Sequence, residues 1–163
     1  MKIKHLLLAF CCIGFASVSY CQTSDDEADA LVVLFGVQKK QAIAQLVSVK
    51  GKDSVAFWKI YEEYLSKNRE TGKNRLKLYE LTARSYGDMT PTVADSLATK
   101  YFSNRESQEK MLQDYYRKIK AATNATIAFE FYQAEVYILT QLRAQIMQQI
   151  PTYGQVMNSS KKN

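Results

Sequence analysis

Apolar residues recur along this chain at three- and four-residue intervals, the spacing of one face of an α-helix, and alternation suited to strands is scarce. The reading is all-α, with about four helices. Ser24-Asp25-Asp26-Glu27 has the form of a capping box, and Leu31, Leu34, Phe35, Ala42 and Leu46 continue an apolar face to Val49, with Gly51 as the stop. Asp53 is placed to cap a second helix carrying Trp58, Tyr61 and Leu65, then Leu76, Tyr79, Ala83 and Tyr86, ending at Gly87. Thr90-Pro91 opens a third: the hydroxyl caps, and proline occupies a first turn where no backbone donor is needed. Its stripe is Leu97 and Tyr101, then Leu112, Tyr115, Ile119 and Ala122. Thr123 or Asn124 caps the fourth, in which Ile127, Phe131, Ile138, Leu142 and Ile146 share a side and Pro151 follows the end.

Two of these stripes carry matching interruptions. From Leu65 to Leu76 and from Tyr101 to Leu112 the step is 11 residues, three turns at about 3.67 residues each, so both helices continue through the polar stretch in phase. The second helix then extends roughly 50 Å. Folded antiparallel about the turn near Asp88, the pairs Leu65/Leu112, Leu76/Tyr101 and Trp58/Ile119 each sum to 177. This register sets an apolar cluster at each end of a long hairpin. Asn68, Arg69 and Gly72 fall opposite Arg105 and Gln108 in a polar middle. The expected core is Trp58, Tyr61, Leu65, Leu76, Tyr79, Leu97, Tyr101, Leu112, Tyr115, Ile119, Phe131 and Leu142.

The first residues belong to another kind of segment. Met1 to His5 is short and basic, and Leu6 to Tyr20 is an apolar run too short to cross a bilayer comfortably, the form of a secretory signal peptide. Cleavage after Cys21 divides the chain into a signal peptide (1–21), one helical domain (22–151) and a tail (152–163), in a periplasmic or secreted protein. Phe10 and Tyr20 stand where a lipid-modified cysteine needs a small neighbour, which argues against a lipid anchor and for a mature chain without stable membrane insertion.

That cut changes the available chemistry. The 3 cysteines (Cys11, Cys12, Cys21) and the 1 histidine (His5) all precede it, so thiol catalysis, histidine triads, zinc sites and disulfides leave with the segment. No cofactor or metal is expected, and no Asp-rich loop has calcium-ligand spacing. Of the net charge of +6, Lys2 and Lys4 carry two, and export argues against a nucleic-acid partner. Lys67, Arg69, Lys73, Arg75 and Lys77, with Glu70 among them, form a basic run beside tyrosines; it is either an anion- or client-binding surface or a solvated helix face. Arg105 joins it across the hairpin. The adjacent Glu62 and Glu63 point apart on a helix, and Glu106 with Glu109 is flanked by Arg105 and Lys110, so no enzyme is expected.

Phe57-Trp58-Lys-Ile-Tyr61-Glu-Glu-Tyr64, with Phe131-Tyr132-Gln133-Ala134-Glu135 and Gln149-Ile150-Pro151, resembles segments of the Spy/CpxP family of periplasmic stress proteins over about residues 38–151. The chain resembles a divergent member: where the family repeats Leu-Thr-x-x-Gln it reads Val49-Lys-Gly-Lys-Asp53 and Ile119-Lys-Ala-Ala-Thr123. The resemblance implies a curved, often dimeric helical cradle that binds unfolded or signalling proteins without ATP. Clients would sit on Lys67, Arg69, Lys73, Arg75, Lys77 and Arg105. The alternative partner is a single membrane sensor.

Overall fold

The structure is a computed structural model and describes residues 38–149. The expected signal peptide, the expected capping box at Ser24 and the expected tail lie outside the described residues. Within them the fold is all-α: α1 (residues 38–46), α2 (Lys52–Ser85), α3 (Pro91–Ala122) and α4 (Ala125–Gln149), with a 3₁₀ turn at Tyr86–Asp88 between α2 and α3. No described helix is long and apolar enough to cross a membrane.

The hairpin is present, and α2 runs unbroken through its polar middle for 34 residues. Thr90 Oγ1 accepts from the Val93 amide, with Pro91 in the first turn, as the Thr-Pro pair dictates. At the next turn Asn124 Oδ1 accepts from both the Thr126 and Ile127 amides at 3.0 Å, which fixes the start of α4. Tyr115 and Phe131 are each eight residues from Thr123 and both pack edgewise on Tyr64, with ring centroids 5.2 and 5.3 Å away. Helices α3 and α4 are therefore antiparallel neighbours laid against α2.

The first linker differs from expectation. Helix α1 stops at residue 46, and the linker to Gly51 turns tightly, the Val49 amide donating 3.0 Å to the Val47 carbonyl and the Ser48 amide 2.7 Å to Glu130 Oε2 of α4. Gly51 does not end α1. It is the residue before α2, at φ 61°, and Asp53 lies inside the first turn with no side-chain cap made. A β-carbon is costly in that left-handed backbone, whereas Gly72, in mid-helix, has only Arg75 Nη2 near its would-be Cβ, at an ordinary 3.7 Å. Gly51→Ala is expected to lose about 1–2 kcal/mol and Gly72→Ala to gain about 0.5–1 kcal/mol from helix propensity. Urea denaturation of the two variants checks the opposite signs.

The inward stripe of α2 keeps Tyr61 and Tyr79 and departs from the expected one at Trp58, Leu65 and Leu76. Phe57, Tyr61, Tyr64, Asn68, Gly72, Leu78 and Tyr79 are buried, while Trp58, Leu65 and Leu76 stand at the edge of the seam, half-buried. Tyr101 and Leu142 are half-buried too, and Tyr61, Tyr79, Leu97, Leu112, Tyr115, Ile119 and Phe131 are core. Tyr64 meets Tyr115 and Tyr101 Oη donates to the Leu78 carbonyl, pairs that sum to 179, while Asn104 Nδ2 donates to the Thr71 carbonyl, a pair that sums to 175, so the contacts fall on both sides of 177. The main core gathers Ile43, Val47, Phe57, Tyr61, Tyr64, Leu112, Ile119 and Phe131 where α1 and α4 cover the hairpin. Leu78, Tyr79, Leu97 and Tyr101 close the other end, as expected of an apolar cluster at each end.

Candidate functional site

Between the two apolar clusters lies a polar seam, fixed by residues that α2, α3 and α4 turn inward. Its anchor is Glu135, fully buried on α4 one turn after Phe131. The carboxylate accepts from Tyr64 Oη at 2.6 Å and Tyr61 Oη at 3.1 Å and is ion-paired with Lys39 Nζ of α1 at 2.5 Å. Lys39 also lies 5.0 Å from the centroid of the Tyr64 ring. A charge removed from water requires such partners, and Glu135 has three.

From Tyr64 the seam continues along the hairpin. Tyr64 Oη accepts from Asn68 Nδ2 and Gln108 Nε2, both at 3.3 Å, and Gln108 Oε1 accepts from Arg75 Nη1 at 3.2 Å. Asn104 Nδ2 donates 3.1 Å to the Thr71 carbonyl, tying α3 to α2 through a side chain. Asn68 Oδ1 is buried with no hydrogen-bond partner among the described residues.

Of the middle residues expected from sequence, Asn68, Gly72 and Gln108 are buried there; Arg69 and Arg105 are exposed. The guanidinium in the seam is that of Arg75, which the basic run had placed on the surface. Three positions after Gly72 and four before Tyr79, it shares their stripe. Lys67 and Lys77 are exposed and Lys73 half-buried, so four of the six proposed client-binding cations are fully on the outside. Phe102, Phe129 and Tyr137 are exposed. The glutamate pair separates as helical geometry requires: Glu62 bonds Lys40 at 2.5 Å, and Glu63 accepts from Lys118 Nζ at 2.7 Å and Tyr115 Oη at 3.0 Å. Among the described residues no three His, Cys, Asp or Glu side chains come together to hold a metal.

The seam marks its residues electrostatically. Burial, then the Glu135 charge, push the phenols of Tyr61 and Tyr64 far above the ordinary value of 10.0, and burial with the Glu63 hydrogen bond pushes Tyr115 up to about 12. The Lys118 and Tyr115 hydrogen bonds hold Glu63 below its usual range. A phenol with a raised folded-state pKa keeps its proton after the unfolded chain has released it, so its stabilising contribution is whole below pH 10 and shrinks as pH rises. Unfolding midpoints in urea are expected to be insensitive to these tyrosines up to pH 9 and to fall between pH 10 and 12. In Tyr61→Phe/Tyr64→Phe/Tyr115→Phe that alkaline fall is expected to flatten.

Among the described residues the arrangement offers hydrogen bonding and charge pairing. No family model matches the chain, and neither a curated protein nor a solved structure matches it.

Proposed function

We propose that the chain is an exported, ATP-independent binding protein of the bacterial periplasm, a divergent Spy/CpxP-like chaperone or envelope-stress adaptor that holds protein clients on a basic and aromatic helical surface. The observation that carries this reading is the outer surface of the hairpin. Lys67, Arg69 and Lys77 are exposed on α2, and on α3 Arg105 stands three residues from Phe102, whose ring is 64% exposed. On α4, Phe129 is 56% exposed. Cations capture acidic segments at a distance set by the ionic strength, and exposed aromatic rings give apolar contact once the segment arrives. The polar seam serves this by holding four helices in one arrangement, so that the surface does not collapse onto itself. The apolar start of the sequence, with its basic flank, supports export.

The experiment is crosslinking in the intact envelope, followed by identification of the captured proteins. Many unrelated proteins, enriched in acidic segments, are the expected result. A single membrane sensor would replace the chaperone reading with that of a dedicated regulatory partner.

A further inference from the structure

Two arginines enter the bundle without a carboxylate to meet them. Arg75, on the inward stripe of α2, is half-buried, and its hydrogen bond is to the neutral side chain of Gln108. Arg143, half-buried on α4, makes no hydrogen bond or ion pair among the described residues. They lie close along the bundle. Tyr115 and Phe131, equidistant from Thr123, are level with each other, so Arg143, 20 residues past Thr123, is level with residue 103, 20 before it. Its neighbour Asn104 is bonded to Thr71, one turn of α2 from Arg75. Burial lowers the pKa of Arg75; Tyr79 and Tyr64 oppose the shift, the charge of Arg143 adds to it, and that of Glu135 opposes it.

The buried carboxylate nearby does not neutralise them, because Glu135 is held by Lys39 at 2.5 Å and by two phenols. A guanidinium presents five N–H donors, and Arg75 spends one on Gln108. There is also room, since among the described residues only Arg75 Nη2 comes within 4 Å of where a Gly72 Cβ would stand. Desolvated guanidinium groups without a counter-charge are costly, and a planar pair of oxygens accepts from them in a fork.

We propose that Arg75 and Arg143, with Gln108 positioning Arg75, form a seat for one oxyanion, a carboxylate or a phosphate group, beside Gly72 in the middle of the bundle. This site is inside, distinct from the exposed cations assigned to client capture, and stands or falls independently of that assignment.

The test is nuclear magnetic resonance of arginine side-chain Nε–Hε groups in the full chain, titrated separately with acetate and inorganic phosphate at constant ionic strength. Saturating shifts at Arg75 and Arg143 are expected, with at least tenfold weaker binding in Arg75→Gln and in Arg143→Gln and none lost in the surface control Lys120→Gln. Stronger binding of acetate assigns the seat to carboxylates, and stronger binding of phosphate to phosphoryl groups. Because the Gln variants remove an unpaired charge from the interior, they are expected to remain folded, which their circular dichroism verifies. Shifts that rise linearly without saturation for both ions, or equal binding by parent and both Gln variants, would overturn the proposal.

Discussion

Replacing Phe131 by alanine is expected to lower the unfolding free energy by about 3–5 kcal/mol. Its ring is fully buried on α4 and edge-on to two α2 rings, Tyr61 at 6.1 Å and Tyr64 at 5.3 Å between centroids. Such aromatic pairs add about 0.5–1.5 kcal/mol each to what burial alone gives. Its buried neighbours three residues away on α4, Ala128 and Ala134, are too small to fill the space it leaves. The cavity would open at the joint where α4 meets the hairpin. The neighbouring substitution Phe129→Ala, at a ring 56% exposed, is expected to change stability by no more than about 0.5 kcal/mol. Urea denaturation of both variants measures the contrast, and equal losses would place α4 in a different rotation about its axis.

Glu135→Ala is expected to be comparably damaging, about 3–5 kcal/mol, for an electrostatic reason. It leaves the Lys39 ammonium, whose side chain is 12% exposed, with no carboxylate, and removes the acceptor of two buried phenols. If the orphaned charge is the main penalty, removing both charges together is milder. Lys39→Met/Glu135→Gln keeps a neutral acceptor for the Tyr64 hydroxyl and is expected to lose only about 1–2 kcal/mol. Completing the cycle with Lys39→Met and Glu135→Gln separates the pair's coupling from its surroundings. Additive single effects would mean that α1 is not held by this ion pair.

Much of the architecture is legible in the chain because it is written locally. Thr90-Pro91 and Asn124 cap within three residues of themselves, and the equal 11-residue gaps disclose a hairpin with a polar middle before any contact is known. The register was legible to about half a turn. Trp58, Leu65 and Leu76 are large and apolar, so they draw the expected stripe toward themselves, whereas the observed one buries Phe57, Tyr64 and Leu78 with Asn68 and Gly72 in line and Arg75 half-buried among them. What the pattern concealed is the seam. Glu135 and Lys39 are 96 positions apart (135 − 39), on helices whose packing no local signal reports. A trace did exist: Glu135 sits midway between Phe131 and the buried Leu139, and Arg75 between Gly72 and Tyr79, each a charge inside an apolar stripe. Counting charges along the sequence put Arg75 on the surface with its neighbours, whereas helical phase puts it inside.

On the proposed function, the outer cations of the hairpin capture acidic clients by charge first and apolar contact second, without ATP. Light scattering from a denatured acidic protein, diluted into the full chain at equimolar ratio in low and in high salt, measures this directly. Aggregation is expected to be suppressed when the Debye length is about 30 Å, near 0.01 M salt, and to return as it shortens to about 10 Å near 0.1 M. Charge-reversing Lys67, Arg69, Lys77 and Arg105 is expected to abolish the low-salt protection with the fold intact. Aggregation that proceeds at the same rate with and without the chain in low salt would contradict the claim.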